Sequence, residues 1–207
     1  MVAACRRPTP ELERLGVRVV EGVELADDRG VARLADSLGT DPVDLLVCNA
    51  GVNASFAGGI DDVDVATMAH EYATNALGAV RTVKALLPNL DAGAKVVLVT
   101  TGTGTSAGAA PSPGHYGYRM SKAALNTFGF LLAHELEPRG VAVLILNPGP
   151  VDTELLRAVH DAGRTPFRPE DAGSPLEVAR DLLARADELT LATSGSWLGR
   201  DGQPMNP

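Results

Sequence analysis

Tyr118 and Lys122 are four residues apart in the segment Tyr-Arg-Met-Ser-Lys. Because residues four apart share one face of a helix, the phenol and the ammonium can point into one site. A free tyrosine has a pKa of about 10, and a nearby cation favours its phenolate form. Such a pair can give or take a proton near neutral pH. Taken alone, the motif is also explained by an ordinary surface pair at helical spacing.

The hydrophobic pattern predicts the elements that would position this pair. Apolar runs of strand length alternate with amphipathic segments, which is typical of βαβ units around a parallel sheet buried on both faces. The predicted strands are Val2–Cys5, Val17–Glu21, Leu45–Asn49, Lys95–Thr100, Val141–Asn147 and Ser196–Gly199. The predicted helices are Gly30–Leu38, Val65–Leu87, Tyr118–Glu137 and Pro175–Ala186. We expect an α/β fold with a doubly wound parallel sheet, a Rossmann-like three-layer sandwich, in a single domain over residues 1–207.

Polar and glycine-containing segments follow four of the predicted strands. They are Cys5-Arg6-Arg7, Asn49-Ala50-Gly51, Thr100–Ser106 and Asn147-Pro148-Gly149-Pro150. A doubly wound sheet binds its ligand outside the carboxyl ends of its strands. The sequence therefore predicts that these segments share one ligand-binding edge.

Four motifs occur in the order found in one known family: Asn49-Ala50-Gly51, Asn75 in Thr-Asn-Ala-Leu-Gly, Tyr118-x-x-x-Lys122 and Pro148-Gly149-Pro-Val-Asp-Thr153. In these motifs the chain resembles the short-chain dehydrogenase/reductase family. The segments Tyr-Gly-Tyr-Arg-Met-Ser-Lys-Ala-Ala-Leu-Asn and Gly-Ser-Trp-Leu-Gly-Arg-Asp-Gly-Gln-Pro are similar to its C-factor and carbonyl-reductase-like branch. The resemblance implies an NAD(P)-dependent oxidoreductase that interconverts a ketone or aldehyde and an alcohol by hydride transfer.

The resemblance also implies catalytic roles. Tyr118 would be the general acid or base, and Lys122 would lower its pKa and bind the nicotinamide ribose. Asn75 would kink its helix and hold, through its main-chain carbonyl, a water that links Lys122 to solvent. Relatives carry a serine hydroxyl for the substrate carbonyl; matching the turn after the fourth strand places Thr105 there, with Ser106 as the near alternative.

Cofactor contacts follow from the same resemblance. Arg6 and Arg7 stand where arginine suits the 2′-phosphate of NADP, so NADP is favoured over NAD, with two solvated surface arginines as the alternative. The other expected cofactor-binding residues are Glu24 near the adenine, Asn49, Ala50 and Gly51 beside the adenine ribose, and Lys122, Pro148, Gly149 and Thr153 near the nicotinamide.

The sequence begins at what matches the second strand of the family. A strand, a glycine-rich turn and a helix, about 30 residues or one βα unit, are therefore expected to be missing, so the sandwich is N-terminally truncated. A start assigned too late, a variant completed by a partner and a pseudoenzyme are three explanations. The alternative function is a non-catalytic or redox-independent subunit that has lost dinucleotide binding, and we expect the 207-residue chain to bind NADP weakly or not at all.

Composition limits the partners. The chain has 45% hydrophobic residues, 21% charged residues and a net charge of −8, which disfavours nucleic-acid binding. It contains no run of eighteen apolar residues and no signal-peptide pattern, so a cytoplasmic protein without a membrane partner is expected. Its two cysteines lack metal-ligand spacing, and no metal is expected. We expect a small-molecule carbonyl or alcohol substrate, and by resemblance a homo-oligomer, either dimer or tetramer, formed through the two long helices.

Overall fold

The computed structural model describes residues 1–55, 58–105 and 114–205. The strands within these ranges are β1 (Val2–Ala4), β2 (Arg18–Val20), β3 (Leu45–Cys48), β4 (Lys95–Val99), β5 (Ala142–Asn147) and β6 (Ser196–Gly199). All their pairings are parallel: β1 pairs with β2, and β3, β4, β5 and β6 form a four-stranded sheet in that order. The predicted parallel α/β fold is confirmed, and every predicted strand overlaps an observed one.

The two central strands are apolar on both faces. In β4 the residues Val96, Val97, Leu98 and Val99 are all buried, and β5 is buried from its first residue through Leu146. Such a continuous apolar run suits a parallel strand with helices above and below it. These two strands therefore form the buried centre of the sheet, and the site lies at their carboxyl ends.

The helices are α1 (Pro10–Arg14), α2 (Asp28–Leu38), α3 (Val65–Asn75), α4 (Leu77–Leu86), α5 (Tyr116–Leu136), α6 (Glu154–Asp161) and α7 (Pro175–Glu188). Local signals explain several of their starts. Asp27 caps α2 and Asp64 caps α3, while α7 begins with a capping box between Ser174 and Glu177. Among the described residues, no helix is both long and apolar enough to cross a bilayer.

Helices cover both faces of the sheet. One face packs against α2, α4 and α5 through a cluster that includes Leu34, Val83, Leu125 and Leu136. On the other face, Ala186 of α7 belongs to a second cluster with side chains of β4 and β5. Val20 of β2 and Val2 of β1 join the first cluster, so the small sheet shares the core of the large one. The three-layer arrangement is thus set by burial of two separate apolar surfaces.

The predicted helix Val65–Leu87 is divided in the structure. Its two parts, α3 and α4, meet at Ala76, whose backbone φ of −101° and ψ of −63° depart from ideal helical values. Beyond the break, a Cβ on Gly78 would lie 2.9 Å from the Cβ of Leu25, so glycine lets α4 pack closely there. The break directly follows Asn75, which agrees with the kink expected at this residue.

Candidate active site

The predicted site residues lie at one edge of the molecule, where the strands end. Asn49, Ala50 and Gly51 follow β3, Thr101 to Thr105 follow β4, and Pro148 and Gly149 follow β5. The helix α5 begins beside them and carries the tyrosine and lysine in its first two turns. The sheet therefore supplies backbone and small side chains, while α5 supplies the ionisable groups.

The start of α5 is packed closely against α3. A Cβ on Gly117 would lie 2.8 Å from Met68 Cα and would overlap Glu71 Oε2, so only glycine fits directly before Tyr118. The helix is preceded by His115, which has a left-handed backbone with φ of 54°. This close packing fixes the position of the backbone from which the Tyr118 side chain extends.

Tyr118 is a weaker acid in this setting than a tyrosine in water. Its pKa is raised to about 12, first by burial and second by the charge of Glu71, whereas a hydrogen bond with the Thr101 side chain opposes the rise. The lowering of this pKa that was expected from Lys122 is therefore not what the structure shows. A phenol with such a high pKa stays protonated at neutral pH and can donate a proton.

Lys122 is a buried lysine, with 4% of its surface exposed. Its Nζ donates to the Val99 carbonyl at 2.8 Å. Burial lowers its pKa to about 8, with Cys48 opposing the shift, and burial raises the pKa of the Cys48 thiol to about 12. A Cβ on Gly51 would lie 3.4 Å from Lys122 Nζ, so this glycine brings the backbone after β3 next to the ammonium.

Asn75 joins the loop after β3 to α5 through its side-chain amide. Its Oδ1 accepts from the Val52 N–H at 2.7 Å, and its Nδ2 donates to the Val52 carbonyl at 2.8 Å and to Ser121 Oγ at 2.9 Å. Ser121 in turn donates to the Tyr118 carbonyl at 2.7 Å. The side chain is therefore a structural clamp, while the expected water at the Asn75 main-chain carbonyl stays a prediction.

The predicted substrate hydroxyls lie on the turn after β4. Thr105 donates to the Gly102 carbonyl at 3.0 Å, and its alternative, Ser106, lies outside the described residues. Thr101 begins this turn by accepting from the Thr103 N–H at 3.3 Å, and it also hydrogen-bonds the Tyr118 side chain. The role of Thr105 stays a prediction, and Thr101 becomes a further candidate for the same role.

The predicted ribose-binding charges lie at the end of β1. Arg6 and Arg7 are exposed, and Arg6 forms an ion pair with Glu24 at 3.9 Å, in which the two side chains are 66% and 40% exposed. Sequence analysis had placed Arg6 and Glu24 near the same ligand, and the structure brings them together. Both remain open to solvent, so neither is committed to its partner.

The segment after β5 turns sharply and leads into α6. Gly149 has a φ of 68°, and its N–H donates to Asn147 Oδ1 at 3.0 Å. Thr153 caps α6 by accepting from the Leu156 N–H at 3.4 Å. Pro148 is partly buried at this turn. A Cβ on Gly149 would meet no atom within 4 Å, so its glycine is required by backbone conformation rather than by space.

Sequence reasoning gave no role to four residues of the site, namely Glu71, His115, Ser121 and Thr101, the last of which was named only as part of the segment Thr100–Ser106. Each is identified by contacts between elements distant in the sequence. His115 is an example, since its Nδ1 lies 3.1 Å from Asn53 Oδ1 and its Nε2 lies 3.0 Å from the Arg164 carbonyl. It ties the loop after β3 and the segment after α6 to the start of α5. Only for Thr101 was a signal present, because its hydroxyl stands just beyond the end of β4.

Comparison with known proteins agrees with this arrangement. A family model described as short chain dehydrogenase matches residues 16–163. The chain is 34% identical over 203 residues to 1-hydroxy-2-glutathionyl-2-methyl-3-butene dehydrogenase of Rhodococcus sp. (strain AD45), covering 98% of this chain and 86% of that protein. It is 42% identical over 123 residues to C-signal of Myxococcus xanthus, covering 58% of this chain and 73% of that protein.

A solved structure gives the same result for the fold. It is a short chain dehydrogenase from Burkholderia cenocepacia J2315 in complex with NADP, with a TM-score of 0.73 and 27% sequence identity. The match covers 91% of this chain and 78% of that chain.

Proposed function

The chain belongs to the short-chain dehydrogenase family and is an oxidoreductase acting on CH–OH or C=O groups with a nicotinamide dinucleotide; from this premise, we propose that it reduces ketones or aldehydes with NADPH, using Tyr118 as the general acid. The observation that carries the proposal is the placement of Tyr118 and Lys122 in the first two turns of α5, beside the backbone that follows β3, β4 and β5. The reverse oxidation uses Tyr118 as a base.

The residues at this edge fit the nicotinamide end of a dinucleotide. The backbone after β3 is exposed at Asn49 and Ala50, and the missing side chain of Gly51 leaves it close to Lys122 Nζ. Gly149 has open space on the side where a Cβ would stand. We assign the nicotinamide end to these residues together with Pro148 and Thr153. NADPH, when bound, supplies the hydride for the carbonyl carbon.

The chain's own residues supply the proton. A carbonyl oxygen that gains negative charge during reduction takes the proton of the Tyr118 hydroxyl, which is protonated throughout the neutral range. Thr101 stands at this phenol and orients it, and it joins Thr105 as a candidate donor to the substrate carbonyl. The pKa of Lys122 is lowered to about 8, so its ammonium is mostly protonated at neutral pH. Its positive charge attracts the negative charge that develops on the Tyr118 oxygen when the proton is given up.

The preference for NADP rests on the exposed arginines after β1. Arg6 and Arg7 offer two guanidinium groups for a ribose phosphate, and the relative from Burkholderia cenocepacia is in complex with NADP. Glu24 lies 3.9 Å from Arg6 and would compete with the phosphate for that arginine, or would bind ribose hydroxyls if NAD were used. NAD is therefore the alternative cofactor.

Assembly into a homo-oligomer, a dimer or tetramer, is part of the proposal. Several large apolar side chains of α3 and α5 are exposed, namely Val65, Tyr72, Met120 and Leu131. Exposed apolar side chains on two neighbouring long helices are the kind of surface that a second copy covers. Light scattering combined with size exclusion measures the state directly.

The test is oxidation of NADPH, followed at its absorbance, against a panel of aldehydes and ketones. We expect turnover with at least one carbonyl compound and slower turnover with NADH. Absence of carbonyl-dependent oxidation of either cofactor by a folded version extended with the N-terminal strand, glycine-rich turn and helix described above would contradict the proposed function.

A further inference from the structure

Glu71 on α3 is a fully buried acid, with 0% of its surface exposed. It is the one buried aspartate or glutamate among the residues that the structure describes. Taking a carboxylate out of water is costly unless hydrogen bonds compensate for the lost solvation. The proton transfer proposed above does not use this group, so its burial calls for a separate explanation.

Hydrogen bonds from the loop after β3 compensate for the burial. Glu71 Oε1 accepts from the Ala54 N–H at 2.6 Å and from the Ser55 N–H at 2.9 Å. Its Oε2 accepts from the Ser55 hydroxyl at 2.8 Å. All three partners donate to the acid, which is the arrangement that suits a negatively charged carboxylate.

The same carboxylate lies against the start of α5. Its Oε2 occupies the position that a Cβ of residue 117 would take, so Gly117 is what allows the contact. The residue that follows is Tyr118. The chain thus places a buried negative charge directly behind the backbone that carries the proposed general acid.

We propose that Glu71 is a positioning residue that keeps Tyr118 in its neutral form in the resting enzyme, because its buried negative charge, held against the backbone of Gly117, opposes a second negative charge on the Tyr118 oxygen. The inference rests on the proposed function of Tyr118 as the group that exchanges the proton. Reduction starts from the neutral phenol and oxidation starts from the phenolate, so a nearby fixed anion raises the pH at which alcohol oxidation begins.

Among the residues that the structure describes, other charged and polar groups also lie near Tyr118. Thr101 hydrogen-bonds it from the end of β4 and lowers its pKa, whereas Glu71 from α3 raises it. His115 precedes α5 and Lys122 lies one turn after Tyr118 on it, with Lys122 Nζ donating to the Val99 carbonyl. Cys48 of β3 interacts with Lys122. Glu71 is therefore the acid whose charge acts on Tyr118.

The experiment replaces Glu71 by glutamine. Glu71→Gln keeps the size of the side chain and an oxygen that can accept from Ala54 and Ser55, but it removes the charge. The readout is the pH titration of tyrosine labelled with ¹³C at Cζ, in which the Tyr118 signal is identified by its loss in Tyr118→Phe. We expect its midpoint to fall by about one pH unit in Glu71→Gln.

Ser55→Ala is the matched control and the second variant. It loosens the same loop and removes one hydrogen bond from the carboxylate, but it keeps the charge, so Tyr118 should titrate no lower than in the wild-type protein. Because this variant removes only a small side-chain group, it remains informative if Glu71→Gln does not fold. A lower Tyr118 midpoint in Ser55→Ala would contradict the charge account.

The pH profile of alcohol oxidation completes the test. In Glu71→Gln its rising limb should move to lower pH by the same amount as the Tyr118 midpoint. If the wild-type protein reduces carbonyls and Glu71→Gln leaves the Tyr118 midpoint unchanged, the inference is wrong while the proposed function stands. If the midpoint falls and no carbonyl or alcohol is turned over, the effect of Glu71 on Tyr118 is supported and the proposed function is wrong.

Discussion

Around Tyr118 the site is built from buried groups that hydrogen-bond one another, whereas at the end of β1 it is built from exposed charges. Asn75 and Ser121 are each no more than 1% exposed, and their side chains tie two elements to α5. Arg6 is 66% exposed and its ion pair with Glu24 spans 3.9 Å. The difference indicates that the proton-transfer end is preorganised by the fold, while the ribose end acts through long-range charge and adjustable side chains.

Replacing the general acid should have the largest effect. We expect Tyr118→Phe to lower turnover at least about a hundredfold while cofactor affinity is kept, because only the transferable proton is lost. The matched control is Tyr116→Phe, which removes a hydroxyl two residues earlier on α5. Steady-state kinetics and NADPH fluorescence titration measure the two effects, and equal losses in both variants would refute a special role for Tyr118.

The second largest difference should appear in the free energy of unfolding, which we expect to depend on the buried region around Tyr118 more than on the exposed end of β1. Asn75→Ala leaves the Val52 N–H and carbonyl without their side-chain partner, and we expect a loss of about 1–3 kcal/mol in the free energy of unfolding. Arg7→Ala at the exposed end should change it by no more than about 0.5 kcal/mol. Urea unfolding compares them directly. Similar losses in the two variants would show that the buried clamp is no more important to stability than the surface charge.

The hydroxyls after β4 give a finer test of the proton-transfer end. Thr101→Val removes the hydrogen bond that lowers the Tyr118 pKa, so the pKa should rise further and less phenolate should be present at any given pH. We expect alcohol oxidation near pH 9 to fall about tenfold. Thr105→Val is the control, and we expect it to lower alcohol oxidation less than Thr101→Val does. A larger loss in Thr105→Val would favour Thr105 as the hydroxyl that binds the substrate carbonyl.

Changing the exposed charges should have the smallest effect. We expect Arg6→Asp combined with Arg7→Ala to reduce the preference for NADPH over NADH by about fivefold, since each contact is exposed and screened by salt. Ratios of kcat/KM for the two cofactors at low and high ionic strength measure it. A preference that survives the double substitution would show that these arginines are only surface charge.

Sequence patterns predicted the scaffold better than the contacts within the site. Continuous apolar runs predicted β4 and β5, because burial on both faces leaves a signal in neighbouring residues. The helices α1 and α6 are absent from the predicted helices; they have only five and eight residues, and such short segments give a weak periodic signal.

The contacts that control Tyr118 join residues far apart in the chain. Glu71 and Gly117 are brought together by packing of α3 on α5, and neither residue type signals the contact alone. The raised pKa of Tyr118 was likewise unpredictable, because it depends on burial and on the charge of Glu71, which packing brings near. The motif identified the reacting groups, but their electrostatic balance is a property of the folded chain.

The most direct test of the central claim uses NADPH carrying deuterium at both hydrogen positions of nicotinamide C4. Mass spectrometry of the alcohol product should show one deuterium on the former carbonyl carbon with the wild-type protein and with Tyr116→Phe. With Tyr118→Phe the yield of labelled alcohol should fall by at least about a hundredfold. Labelled alcohol formed equally by all three proteins, or by none of them, would contradict the assignment of Tyr118 as the proton donor of a carbonyl reductase.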